Sequence, residues 1–154
     1  MNKLVLATAV ASALFGASYG ATGAIESQNI VGYQTKAITS GQWNFIGATF
    51  APVSGAAMTL GDIKANDAFE FGSDTLQTLN GNGSTKAMYT YASAAVAQEF
   101  GLQAGWYDYD AVSAWDGESE LSSCNGVEIP AGYGFILQAG RDDATVTIPS
   151  PIAD

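Results

Sequence analysis

Histidine is absent from this chain of 154 residues. It is the residue most used for acid–base catalysis near neutral pH, and it is the commonest ligand of transition metals. Hydrolases with Ser-His-Asp or Cys-His sites are therefore excluded. A pair of carboxylates about 5–9.5 Å apart could still hydrolyse glycosides. Acidic residues on a solvated face explain the candidates more simply, so we predict a protein that is not an enzyme; the candidates are Glu99, Glu118, Glu120 and Glu128.

Positive charge is scarce. The chain has 5 Lys and Arg residues against 15 Asp and Glu residues, which gives a formal net charge of −10 at pH 7. Such a surface repels phosphate backbones and anionic membranes. The few scattered cations cannot form the basic stripe that nucleic-acid binding requires. The acidic surplus instead favours solubility, a divalent cation or a cationic partner.

Cysteine occurs once, at Cys124. An intrachain disulfide is therefore excluded, although exported proteins are commonly stabilised by disulfide bonds between paired cysteines. Two interpretations of Cys124 remain. It is either a small apolar side chain of the core or the site of an intermolecular bridge or adduct.

The sequence has no apolar run long enough to span a bilayer, which takes about 20 residues. Its longest run covers residues 4–15, follows the basic Lys3, and precedes small residues around Gly20 and Gly23. This pattern is typical of a secretory signal peptide. We expect cleavage after Gly20 or Gly23, and a secreted protein in the extracellular space or on the cell surface, with the periplasm as an alternative.

Composition predicts a folded chain with one domain after the leader. Apolar residues make up 47% and charged residues 13%, a balance opposite to that of disordered chains. We therefore assign residues 1–23 to the signal peptide and residues 24–154 to a single domain of ordinary size.

Short runs of aromatic and β-branched residues alternate with turns rich in Gly, Asn, Ser and Pro. About eight to ten such strands predict an all-β fold, an antiparallel β-sandwich or barrel. Pro149 and Pro151 are expected to end the last strand because proline donates no backbone hydrogen bond. Residues 68–71 and 76–79 are predicted to form a hairpin. The segment 58–65 is predicted to form a short helix or turn, and the segment 92–100 a helix or loop. The strands are expected within 30–38, 43–50, 68–71, 76–79, 86–91, 105–109, 127–129, 133–138 and 144–148.

Five carboxylates lie within thirteen residues around Gly117. Calcium takes six to eight oxygen ligands, so this acidic loop is the best metal candidate in the sequence. The spacing does not match the EF-hand loop. A calcium site and a solvated acidic loop both remain open, and no other cofactor is expected; the five residues are Asp108, Asp110, Asp116, Glu118 and Glu120.

Aromatic residues provide a second type of candidate site, because sugar rings can stack on exposed aromatic faces. Such residues also build cores, which is their commoner role. Trp115 is flanked by Ser113, Asp116 and Gly117 in the acidic loop. We expect it to be the exposed tryptophan and the first candidate for ligand binding.

Two motifs resemble small secreted bacterial β-modules that carry an early G-W-N-type strand and a late G-x-G-F strand. They are G-Q-W-N-F-I-G at residues 41–47 and P-A-G-Y-G-F-I-L at residues 130–137. The sequence departs from that pattern at Gln42, which separates the glycine from the tryptophan, and at Phe135, which no tryptophan follows. The resemblance implies a surface or extracellular protein without shared catalytic residues.

The leading hypothesis is a secreted, non-enzymatic structural or interaction protein, such as a self-assembling subunit of a filament, matrix or surface layer. Few lysines protect its strand edges against pairing with other chains, and an exported subunit can accept a strand from a neighbour. The candidate donors are residues 23–41 and 144–148, unless both pair within their own domain. The alternative function is a carbohydrate- or surface-binding module with polysaccharide as its partner.

Overall fold

The computed structural model describes residues 31–47, 57–130 and 132–151. The predicted signal peptide and the part of the predicted strand 43–50 beyond Gly47 lie outside these ranges. Among the described residues, no helix is long and apolar enough to cross a membrane.

The described residues form short strands in antiparallel sheets, with three short helices between them. This confirms the prediction of an all-β, sandwich-like domain. The strands are β1 (Val31–Ala37), β2 (Asn44–Gly47), β3 (Met58–Thr59), β4 (Lys64–Ala65), β5 (Thr75–Leu79), β6 (Thr85–Ala92), β7 (Gly105–Asp108), β8 (Glu128–Ile129), β9 (Gly134–Gln138) and β10 (Thr145–Pro151). The helices are a 3-10 helix (Leu60–Asp62), α1 (Ala94–Phe100) and α2 (Tyr109–Ser113).

Three sheets share one core. The five-stranded sheet has the order β2-β9-β5-β6-β7, the three-stranded sheet the order β1-β10-β4, and β3 pairs with β8. Side chains from all three sheets join one buried cluster, including Leu76 and Phe135 of the large sheet, Val146 of the three-stranded sheet and Ile129 of β8. Burial of these apolar faces is the main force that holds the sheets together.

Trp106 lies at the centre of this core and is fully buried. Its indole Nε1 donates a hydrogen bond of 2.8 Å to the carbonyl oxygen of Ile63. Phe69 meets the indole edge-on with ring centroids 5.6 Å apart, and Tyr91 lies at 5.0 Å. The buried indole thus has its polar group satisfied, as burial of tryptophan requires.

The predicted hairpin of 68–71 with 76–79 is wrong. Residues 67–74 form turns, and β5 pairs instead with β6 across the turn at 80–84. The Asp74 carboxylate accepts a hydrogen bond from the Glu70 amide at 2.7 Å, and the Asp74 amide donates to the Glu70 carbonyl at 2.9 Å. This local bonding by an aspartate gives the backbone an alternative to a strand ladder.

The prediction that the last strand ends at Ile148, before Pro149, is wrong. β10 includes Pro149 and Pro151, which lie opposite Tyr33 and Val31 of β1. The Ile38 amide donates to the Ala144 carbonyl, so these two residues form a hydrogen-bonded pair. In an antiparallel ladder such pairs alternate with non-hydrogen-bonded pairs, and counting along the register places both prolines at non-hydrogen-bonded pairs. Their missing N–H groups point away from β1, and the β4 register on the other side ends at Thr147.

Each of the segments 92–100 and 58–65, predicted as a helix or loop and as a short helix or turn, contains a short helix. Ser93 caps α1 by accepting from the Val96 amide, and Gly101 ends the helix with a φ of 68°. That left-handed conformation is the usual role of glycine after a helix. Residues 58–65 form β3, the 3-10 helix and β4 in succession.

Candidate functional site

β2 is one edge of the five-stranded sheet. Its sequence, Asn-Phe-Ile-Gly, has no charged residue and no proline. In the parts of the chain that the structure describes, β9 is its only strand partner. Charge and proline are the usual means by which proteins prevent an edge strand from pairing with another chain.

The opposite edge of the same sheet is covered. Tyr107 of β7 forms an isolated bridge with Ser123, and the Cys124 amide donates to the Trp106 carbonyl at 2.7 Å. The loop that follows α2 therefore occupies the outer side of β7. Among the described edges of this sheet, β2 is the one that remains open.

Two aromatic side chains are exposed at the open edge. Phe45 is 74% exposed and Trp43 is 56% exposed. They are two residues apart, which places both on the same side of the extended chain, while Ile46 is buried in the core. We call residues 43–47 the aromatic edge.

Asn44 fixes the backbone at the start of the aromatic edge. Its Oδ1 accepts from the Thr39 amide at 2.9 Å, and its Nδ2 donates to the carbonyls of Thr39 and Gln42 at 3.0 Å. A further contact of 3.3 Å reaches the Leu137 carbonyl of β9. The turn before β2 is therefore tied to the sheet, and the exposed rings stand on an ordered backbone.

A groove of about 200 Å³ separates the aromatic edge from β1. Gln34 and Lys36 of β1 line it, together with Phe45, Ile46, Gly47, Ile148 and Pro149. Lys36 and Gln34 lie on the same side of β1 as Ile38, which enters the core. The groove is thus lined by apolar residues together with the amide of Gln34 and the cation of Lys36.

The five carboxylates of the acidic loop do not converge. Among the residues that the structure describes, no group of three or more His, Cys, Asp or Glu side chains is placed to hold a metal ion. Asp108 instead caps α2, with its Oδ1 accepting from the Ala111 amide at 2.9 Å. The calcium hypothesis stays a prediction, without support from this geometry.

Asp116 is engaged in local hydrogen bonds. Its Oδ1 accepts from the Glu118 amide at 3.0 Å, the Ser119 amide at 2.9 Å and the Ser119 hydroxyl at 2.8 Å. The bonds from Ser119 and Glu118 favour the charged form and lower the pKa of Asp116 to about 2. The carboxylate therefore organises the loop around itself.

The prediction that Trp115 is the exposed tryptophan is wrong. Trp115 is partly buried, whereas Trp43 is the exposed one among the three. The Trp115 ring packs edge-on against Phe100 at 5.7 Å, and its Nε1 donates to the Ser119 carbonyl at 2.7 Å. Polar neighbours in sequence suggested exposure, but they did not reveal the aromatic cluster that α1 places beside the loop.

Cys124 is partly buried and packs against the core cluster. Burial raises the pKa of its thiol, and the nearby Asp108 carboxylate adds to this effect. Because the thiolate is the reactive form, this environment favours the interpretation of Cys124 as a packing residue.

The aromatic edge was missed at the level of sequence, although its signal is present. In residues 42–46, Trp43 and Phe45 alternate with Asn44 and Ile46, so large apolar side chains occur on both faces of one strand. Only one face of β2 meets the core. The strand order, which decides what covers the other face, depends on pairing between residues 93 positions apart.

Comparison with protein-family models, curated protein sequences and solved structures found no match to this chain. The resemblance to secreted bacterial β-modules therefore stays a prediction.

Proposed function

We propose that this protein is an exported, non-enzymatic interaction protein that associates with copies of itself through the aromatic edge. The observation that carries the proposal is an ordered, uncharged sheet edge with two exposed aromatic rings. Unpaired N–H and C=O groups along such an edge offer a template for a further strand.

We expect β2 of one copy to pair with β2 of a second copy. The two segments considered as donors, β1 and β10, pair with each other over seven residue positions within the chain. Donation of either one would break this ladder. Antiparallel pairing of β2 with β2 of a second copy leaves both domains intact and joins two five-stranded sheets into one.

The size of the edge sets the expected strength of association. Four residues of β2 extend over about 13 Å at 3.3 Å per residue. Such a contact is at the low end of interface sizes, so its aromatic side chains must supply much of the affinity. We therefore expect reversible association that depends on protein concentration.

Charge gives the proposal a second physical constraint. The predicted leader contains Lys3, so its removal would take the net charge from −10 to −11. Two copies then repel each other, and salt should strengthen their association by screening this repulsion.

Sedimentation velocity of Phe45→Lys tests the proposal. The protein recovered after export, expected to begin at Ala21 or Ala24, is compared with the variant over a range of concentrations. The wild type should shift reversibly from monomer to dimer as concentration rises, because β2–β2 pairing uses the open edge of both copies, whereas the variant should stay monomeric. Since Phe45 is largely exposed, the variant is expected to fold.

Phe100→Lys is the matched control. It also replaces an exposed aromatic ring with lysine and changes the net charge equally, but it lies on α1. It should associate like the wild type. A wild type that is monomeric at every concentration, or a Phe45→Lys variant that associates as strongly as the wild type, contradicts the proposal.

The alternative function of sugar binding concerns a different surface, a cavity beside Trp115.

A further inference from the structure

A cavity of about 530 Å³ lies between the end of α1, β7 and the loop after α2. This volume is within the range of about 300–1,000 Å³ that is typical of small-molecule sites. Its aromatic lining consists of Phe100, Tyr107 and Trp115. Phe100 is 47% exposed, so part of its ring is available to a ligand.

The aromatic side of the cavity is held in place by packing. Besides its contact with Trp115, Phe100 lies 6.4 Å from Phe71, which in turn meets Tyr107 edge-on at 6.1 Å. The Tyr107 hydroxyl donates to the Gln103 carbonyl at 2.7 Å and accepts from its amide at 3.0 Å. These contacts form a small second core on the outer side of the large sheet.

The polar side of the cavity is also ordered before any ligand binds. Trp115 and Asp116 both bond to Ser119, which closes the loop into a compact turn. Glu118 and Glu120 line the cavity from this turn. A binding site with ordered walls loses less conformational entropy when a ligand enters.

The lining restricts the chemistry of the ligand. Carboxylates of ionised glutamates only accept hydrogen bonds, and no lysine or arginine lines the cavity. Anionic ligands are therefore disfavoured, and a ligand with several hydroxyl donors suits Glu118 and Glu120. The aromatic ring requires that the same ligand also present an apolar face.

We propose that this cavity binds a neutral sugar unit of a polysaccharide, with the ring of the sugar against Phe100 and its hydroxyls directed to Glu118 and Glu120. This function goes beyond self-association and uses a surface separate from the aromatic edge. A protein with both surfaces would attach an assembly to a polysaccharide matrix.

Depletion from solution by insoluble cellulose, xylan, mannan and chitin tests the proposal. The measurement uses Phe45→Lys as the background, so that its result does not depend on self-association. We expect binding to at least one of these neutral polysaccharides. Phe100→Ala should weaken that binding about tenfold, the effect of losing one substantial contact, and Phe100→Trp should retain it.

Glu118→Gln removes the charge of an exposed side chain and keeps its shape, so an effect on sugar binding would not come from lost packing. It should also weaken binding, whereas Tyr33→Ala, which removes a 70% exposed aromatic side chain on β1 outside both the cavity and the aromatic edge, should leave binding unchanged. The proposal is overturned if none of the four polysaccharides binds, or if Tyr33→Ala lowers binding as much as Phe100→Ala. If the protein binds poly-lysine but no polysaccharide, and salt abolishes that binding, the surface is an electrostatic one and the proposal is also overturned.

Discussion

Asp116 shows how the role of one residue depends on its neighbours in space. In the sequence it belongs to a row of carboxylates that suggests a cation site, but in the structure its Oδ1 accepts three hydrogen bonds from Glu118 and Ser119. Aspartate commonly bonds to the backbone two or three residues ahead and forms a turn in this way. The loop therefore uses this charge for its own conformation.

The lowered pKa of Asp116 gives a prediction about pH. Its carboxyl should titrate with a midpoint of about 2 in the folded protein and near 3.8 in the unfolded chain. Since the folded pKa is the lower one, the bonds of Asp116 stabilise the fold above about pH 4 and are lost as pH falls towards 2. Carboxyl ¹³C NMR of the folded protein and of the protein in urea measures both midpoints. A folded midpoint near 3.8 would contradict the hydrogen-bond assignment.

At the scale of elements, local sequence predicts strands better than their ends and partners. The run of aromatic and aliphatic residues in 133–138 predicts β9, and Ser93 with Gly101 explains α1. The predicted hairpin at 68–71 is wrong because Asp74 forms hydrogen bonds with Glu70. The predicted strand end before Pro149 is wrong because an antiparallel ladder tolerates a missing N–H at its non-hydrogen-bonded pairs. Both errors concern backbone hydrogen bonds that pattern alone does not specify.

The start of β7 gives a prediction at the same scale. Gly105 has a φ of 144°, and a Cβ there would overlap the side-chain amide of Asn125. That amide accepts from Trp106 at 2.8 Å and donates to Ala104 at 3.3 Å, which attaches the loop to β7. Gly105→Ala should lower the free energy of unfolding by about 2–3 kcal/mol, from backbone strain and the displaced amide.

Urea unfolding followed by tryptophan fluorescence measures this effect. Gly126→Ala is the matched control, since no atom lies within 4 Å of a Cβ at that position, and it should stay within about 0.5 kcal/mol of the wild type. Equal effects of the two substitutions would show that Asn125 does not hold the loop against β7.

At the scale of the whole molecule, the fold depends on its core and its ladders. The ion pair found among the described residues joins Arg141 and Asp143 at 3.8 Å on the surface, where such pairs contribute about 0–1 kcal/mol. With so few cations, the molecule has few lysines to protect its strand edges. The sequence predicted the all-β class, since class follows from local patterns. It did not predict the open edge or the cavity beside Trp115, since both depend on which distant strands and loops become neighbours.

Hydrogen exchange of the β2 amides at low and high protein concentration tests self-association through the aromatic edge most directly. We predict that amides of β2 that point away from β9 become protected as concentration rises, more strongly in high salt, while the amides of α1 do not change. If exchange of the β2 amides is independent of concentration under conditions where sedimentation shows association, self-association through the aromatic edge is contradicted and the interface lies elsewhere.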